Sequence, residues 1–437
     1  MTNRTRSGCR FPRSARRSVE PSFDGGAITS DAGGALLLRQ AERRTKLVDG
    51  FARRVVDPRR SGSVLHSTKS MLLQRVFAIA LGYEDLNDHH ELRHDAALQT
   101  AVGRSTELAS PSTLSRLEAR ADQDMVWAFH EVLVEHFIES HDTPPKELIL
   151  DFDATDDLVH GKQVGRFFHG YYRSYCFLPL YVFCGDFPLF ALLRQANIDA
   201  CRGTVDVLEF LVPRLRAAWP DVRIVLRGDS GFCRTWIMSW CEANSVDFVI
   251  GIARNKRLER AAAPLFVEAR AEAEKSGGHA KLFGEVDYAA GSWDRTRRIV
   301  IKAQVIPGKD NPRFVATSES GDPAHIYKVR YCARGEMENR IKEQQLDMYA
   351  DRTSSTKWWA NQLRLMLSTL AYALVNTIRR VGLAGTKMAR AQVGTIRLRL
   401  LKIGAVIVRN TRRVRFLMSS SFPDKELFWL VAKQLAG

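Results

Sequence analysis

Leu148-Ile-Leu-Asp-Phe-Asp153 reads as a strand that ends in acids. Before residue 147 the pattern is helical, with Ser30-Asp31, Ser67 and Ser110-Pro111 placed to start helices through Arg44, through Leu81 and over Pro111–Glu118. After it the pattern is mixed. Tyr175–Cys184 and Leu189–Arg194 read as two more strands joined through Gly185-Asp186. Val205–Trp219 reads as a helix, Val222–Leu226 as an apolar strand, Cys233–Asn244 as a helix and Phe248–Ile252 as a strand. An antiparallel meander followed by βαβ units gives a mixed sheet with helices on its faces. In such a sheet the first and fourth strands are neighbours. Asp153, at the end of the first, and Asp229, just past the fourth in Arg227-Gly-Asp-Ser-Gly231, then project into one crevice.

Residues 254–325 break this rhythm with short alternating strands at Leu282–Tyr288, Arg298–Val305 and Arg313–Ser318. Beyond them, Tyr331-Cys-Ala-Arg-Gly-Glu-Met-Glu-Asn-Arg-Ile-Lys-Glu-Gln-Gln345 reads as a helix. Steps of three and four put Tyr331, Arg334, Glu338, Lys342 and Gln345 on one face, with Glu336 and Glu343 off it. An apolar helix, roughly Trp358–Val381, and basic C-terminal segments follow. The layout expected is a disordered basic arm at 1–25 and a helical N-terminal DNA-binding region at 26–140. A catalytic core follows at 141–253, with a β-rich insertion at 254–325. The second part of the core at 326–380 carries the Glu338 helix, and a basic helical C-terminal region spans 381–437.

Composition narrows the partners. The chain has 437 residues, 45% of them apolar, and a net charge of +16. Residues 1–18 hold six arginines and no acid; residues 352–423 hold 14 Lys or Arg and no acid. Basicity confined to two blocks implies a polyanion, nucleic acid foremost. The longest apolar uncharged run, Leu365–Ile378, is 14 residues and too short to cross a bilayer, so no membrane partner is expected. The seven cysteines form no C-x-x-C pair, and no apolar signal segment follows the basic N-terminus, so the expected setting is cytoplasmic.

Taken singly, each carboxylate has an ordinary reading. Asp151, Asp153, Asp156 and Asp157 suit a solvated strand end, Asp229 or Ser230 suits a helix cap, and Glu338 suits a salt-bridged surface helix. Together, Asp153, Asp229 and Glu338 are three hard oxygen donors from separate elements, suited to Mg²⁺ or Mn²⁺. Two such ions about 3.5–4 Å apart activate a water or a 3′-hydroxyl and stabilise the leaving oxygen. His90-Glu-Leu-Arg-His94 fits the zinc-protease pattern H-E-x-x-H, but its flanks are charged and no third ligand follows, so both histidines read as surface or packing residues. Thr113, Ser115 and Arg116 on the 111–118 helix would fit a DNA groove.

Asp153-Ala-Thr155, Arg227-Gly-Asp-Ser-Gly-Phe232 and Tyr331-x2-Arg334-x3-Glu338 resemble the three blocks of DDE transposases from bacterial insertion sequences, in the branch with a Tyr-Arg-Glu-Lys signature and a β-rich insertion. The resemblance covers roughly residues 25–420, including Gln74–Asp85 and Gly394–Gly404. It implies an RNase H-like mixed-sheet core, two divalent ions, and cut-and-join chemistry at terminal inverted repeats of double-stranded DNA. Asp153, Asp229 and Glu338 are then the catalytic, metal-holding triad, and Tyr331, Arg334 and Lys342 the phosphate contacts. Synapsis of two element ends implies a homodimer on DNA. The signature lysine would fall at position 345, where this chain has Gln345; either Lys342, one turn nearer, makes that contact or the contact is absent. Related enzymes stack an insertion-domain tryptophan on a displaced base, and Trp293 is the candidate, with plain packing as the other reading. A nuclease without strand transfer and an idle DNA-binding regulator are the remaining functional readings.

Overall fold

The computed structural model describes residues 29–307 and 309–437. The basic arm expected at 1–25 lies outside the described residues.

Eight strands build one mixed sheet: β1 (Glu147–Ala154), β2 (Leu180–Cys184), β3 (Phe187–Leu192), β4 (Arg223–Gly228), β5 (Asp247–Ile252), β6 (Ala280–Tyr288), β7 (Arg297–Ile306) and β8 (Lys309–Thr317), in the order β6-β7-β8-β5-β4-β1-β2-β3. β1 pairs β4 in parallel, and β4 pairs β5 in parallel; the other ladders are antiparallel. The first and fourth strands are therefore neighbours, with Phe152 opposite Gly228. The strands of the 254–325 segment do not stand apart. β8 pairs β5, so they continue the same sheet.

Two helices cross between the parallel strands, Thr204–Ala218 ahead of β4 and Thr235–Ala243 ahead of β5. A third, Lys256–Lys275, precedes β6. The sequence reading missed this last helix. Pro264 lies inside it, and its start depends on Asn255, whose side chain accepts from the Arg257 and Leu258 amides. The reading also ran Tyr175–Cys184 as one strand. The structure breaks it at Leu178-Pro179, because proline cannot donate to a ladder. Ser174–Phe177 joins a separate three-stranded sheet with Asp157–Leu158 and Phe167–His169.

Both faces of the large sheet are covered, and β2 shows it residue by residue. Leu180 and Val182 enter the core beneath the crossover helices; Tyr181 and Phe183 enter the core on the other face. That second core holds the apolar helix Trp358–Thr377, the N-terminal helices and the C-terminal segments in one cluster. Gln362 fixes the apolar helix to the sheet edge, accepting from the Leu193 amide and donating to the Ala191 carbonyl. Among the described residues no helix is long and apolar enough to cross a membrane.

The C-terminal region is not simply helical. Ala405–Arg409 and Val414–Met418 form a hairpin that pairs with Thr29–Ser30. Val, Ile and Phe at alternate positions favour strand here over helix. Nor is the basic block all surface. Arg397 is buried and donates to the Ile79 and Ala80 carbonyls at the end of the helix Thr68–Leu81. Arg379 is buried between Glu343 and Tyr372. Arg412, Arg413 and Arg415, at the hairpin tip, are exposed.

Beginning and end meet at Gly34. Its amide donates to the Leu401 carbonyl, and a Cβ there would lie 1.9 Å from the Leu400 carbonyl oxygen and 2.4 Å from the Leu401 Cα. Backbone, not a flexible side chain, is in the way. Gly34→Ala is expected to cost at least about 2 kcal/mol, the order seen for overpacking, read as a lowered denaturant midpoint.

Candidate active site

The site starts from a buried ion pair. Asp151 and Arg227 face each other across β1 and β4. Arg227 donates from Nε to Asp151 Oδ1 at 2.5 Å and from Nη2 to Oδ2 at 2.7 Å, a bidentate contact away from water. Its Nη1 donates to the Arg330 carbonyl at 2.6 Å. One guanidinium thus ties together two strands and the helical run that follows the sheet. Below it, Arg330 pairs with Glu147 and Glu319, and Arg223 with Glu147, Asp247 and Glu319.

One step beyond this pair stand Asp153 and Asp229. Asp229 accepts from the Gly231 amide at 2.8 Å and so caps the turn Ser230–Phe232. The cap reading and the crevice position hold together. The helical run Pro323–Asp347 brings up the third carboxylate. Arg334 donates from Nη1 to Asp153 Oδ1 at 3.3 Å and from Nη2 to Glu338 Oε1. Tyr331 reaches the same place over Gly251 of β5, where a Cβ would lie 2.4 Å from the phenol oxygen and 3.2 Å from the Ser230 amide nitrogen.

The run is not one regular helix. Ile326–Tyr331 and Glu343–Asp347 are wound wider, as π-helix, and Cys332–Arg334 is tighter than the α-helix Gly335–Lys342. Each change of pitch rotates the face. Tyr331, Arg334 and Glu338 still converge. Lys342 is exposed, and Gln345 donates to the Asp156 carbonyl at 3.0 Å. Gln345 therefore ties the helix to the loop after β1. Glu343 turns inward to Arg379 and the Val393 amide.

Burial pushes the Asp153 carboxyl up to about 7, with Asp229, Glu338 and Asp151 adding to the rise and Arg334 opposing it. Burial likewise raises the Tyr331 phenol, opposed by Arg334. Three acids and an arginine from separate parts of the chain thus sense one another. The donors are all hard oxygens, which fits a divalent ion in type. In this arrangement the Arg334 guanidinium spans two of them, and among the described residues no three acid, His or Cys side chains stand close enough to hold an ion.

The other acids of the 151–157 cluster have different work. Asp151 belongs to Arg227. Asp157 is buried, accepts from Thr353 Oγ1 at 2.9 Å, and is pushed well up by burial. Arg116 is exposed and donates to Thr113 Oγ1 on a helix seated by Leu114 and Leu117; Ser115 is exposed beside it. Trp293 is half-buried, edge-on to Tyr288 at 5.5 Å with the Arg297 guanidinium over its ring at 5.7 Å, so packing partners already hold the ring. The helix bearing His90 ends at Leu92, and His90 and His94 pair separately with Glu91 and Glu107 on the surface. Sequence reasoning missed the roles of Asp151, Arg227 and Gln345. The in-register Asp151 and Arg227 were the available signal for the pair.

A family model described as transposase DDE domain group 1 matches residues 11–437. No curated protein matches the sequence. Among solved structures, the piggyBac transposase synaptic complex with hairpin DNA is similar at 12% identity and a TM-score of 0.44, over 84% of this chain and 78% of that one.

Removing one partner of the buried pair strands the other. Arg227→Met is expected to destabilise the fold by about 3–5 kcal/mol, measured by denaturant unfolding. The raised Asp153 carboxyl gives a second prediction. Its folded value of about 7 lies above the ordinary 3.8, so the native state holds the proton more tightly between these values. Its contribution to stability is complete below about pH 4 and is lost as pH rises through 7. In chelator-treated protein, Asp153→Asn is expected to remove up to about 1.4 kcal/mol per pH unit of falling stability across that window. Parallel curves for wild type and variant would refute it.

Proposed function

Because the chain belongs to the transposase DDE domain group 1 family, we propose that it is the DNA transposase of a bacterial insertion sequence. It cleaves at terminal inverted repeats and joins the freed 3′-hydroxyl to target DNA, acting as a homodimer in the synaptic complex in the bacterial cytoplasm. One observation carries the reading: Arg334 bridges Asp153 and Glu338, and Asp229, from a third element, stands near enough to raise the Asp153 carboxyl. The order β5-β4-β1-β2-β3, with acids at the ends of β1 and β4, supports an RNase H-like core.

In this reading Asp153, Asp229 and Glu338 would hold two Mg²⁺ or Mn²⁺ ions once Arg334 releases the two carboxylates it spans. Such ions, when bound, make a water or 3′-hydroxyl a better nucleophile and offset charge on the leaving oxygen. Deprotonated Asp153 is the ligand form, so burial and its acidic neighbours tune the pH at which it serves. Arg334 exchanges carboxylate for phosphate oxygen, a change of partner that keeps its charge paired. The Tyr331 hydroxyl donates beside it, and Lys342, exposed one turn after Glu338, takes a neighbouring phosphate. Arg116 and the hairpin arginines Arg412, Arg413 and Arg415 are exposed, and duplex DNA beyond the cut would be held by them.

The test is cleavage of a duplex carrying the inverted repeats that flank the gene, followed by capture of the labelled 3′ end in a plasmid. Asp153→Asn, Asp229→Asn and Glu338→Gln are each expected to lower Mg²⁺-dependent cleavage on the order of a thousand-fold or more. Lys342→Ala should cost about 10- to 100-fold. Full cleavage by Asp229→Asn and Glu338→Gln would overturn the triad. Cleavage without capture would make the protein a nuclease, and binding without cleavage a regulator.

A further inference from the structure

The three-stranded sheet Asp157–Leu158, Phe167–His169 and Ser174–Phe177 follows β1, which ends one residue past Asp153, and leads back into β2. Its root is fixed. Cys176, Leu178 and Ala196 form a small buried cluster under Tyr172, whose hydroxyl donates to the Ala154 carbonyl at 3.4 Å. Gly165, at φ +87°, lies against the Trp358 ring, and Gln163 donates to the Thr353 carbonyl. Burial raises the Tyr172 phenol, and Asp156, Asp153 and Asp229 raise it further, so this element stands within electrostatic reach of the site.

Its outer part is unusual for a protein surface. Tyr171 is 83% exposed, Phe168 57% and Tyr175 50%. Phe168 and Tyr175 are directly opposite in register, with ring centroids 5.6 Å apart at 71°. The Arg166 guanidinium lies over the Tyr175 ring at 4.6 Å. Arg173, at φ +54°, closes a tight turn through the His169 carbonyl and leaves Tyr171 at the tip. Arginine visits this conformation only when held there. From Leu158 to Gly185 there is no acid, while Lys162, Arg166 and Arg173 are all present.

We propose that this sheet is a stacking platform for unpaired bases of the DNA strand cut at Asp153, Asp229 and Glu338. Exposed rings on a cationic element whose one acid, Asp157, is buried, rooted one residue from a catalytic carboxylate, suit a single strand. Each ring offers a π face, and the cations track the phosphates. A paired duplex hides the base faces in its own stack, so only unpaired bases gain from the rings. An apolar protein partner would gain nothing from the excess of positive charge. The inference rests on the transposase reading and adds to it an element that handles the strand once it leaves the duplex.

The test uses the full chain with two fluorescently labelled probes, a fully paired duplex and the same duplex with a short central bubble of unpaired thymines. Wild type is expected to bind the bubble about ten-fold more tightly. Tyr171→Ala and the double variant Phe168→Ala/Tyr175→Ala should lose that preference and keep duplex affinity, while Tyr175→Phe keeps both. A 2-aminopurine in the bubble should be quenched by wild type and not by the alanine variants. If these variants retain the preference, or weaken both probes alike, the platform is refuted and the transposase reading stands. A change in sedimentation with the bubble preference intact would make the surface a protein contact, which also refutes it. If wild type binds neither probe, the transposase reading falls as well.

Discussion

The buried pair of Asp151 and Arg227 is the constraint on which the site rests. A charge taken out of water is tolerated only with a well-placed partner, and the register that makes these two neighbours is the register that makes Asp153 and Asp229 neighbours. A slip of either strand would bury an uncompensated charge and turn both acids to the wrong face. The same arginine holds the Arg330 carbonyl, so the helical run that delivers Tyr331, Arg334 and Glu338 is referenced to the same point.

Charge is used here in two distinct ways. Arg379 and Arg397 are spent inside, against Glu343 and against the open carbonyls of a helix end. Arg334 stands between these buried structural arginines and the exposed ones at the surface. It neutralises acids that would otherwise repel, and its contacts are few enough to exchange. The raised Asp153 carboxyl reflects its burial first, and then the neighbouring acids that this arginine only partly offsets.

Much of this was legible in residue order. The order strand, strand, strand, helix, strand made the first and fourth strands neighbours, and both apolar runs end in acids. Glu338 followed from helical spacing. What was not legible has physical causes. Pro179 splits an apolar run whose two halves join different sheets. The helix Lys256–Lys275 hides behind Pro264 and an asparagine cap. Wide turns at Ile326–Tyr331 and Glu343–Asp347 shift a face that regular periodicity draws straight, so Gln345 turns toward the Asp156 carbonyl. Arg397 counted toward the basic block because the Ile79 and Ala80 carbonyls it caps lie more than 300 positions away.

The docking of Gly34 against Leu400 and Leu401, and of Thr29–Ser30 against the hairpin, has a consequence for biosynthesis. The N-terminal helices share one core with segments translated last. Until those segments leave the ribosome, the early helices expose the apolar faces they later bury, and a product terminated before residue 400 never closes that core. Premature termination therefore yields chains with exposed apolar surface, suited to quality-control proteases.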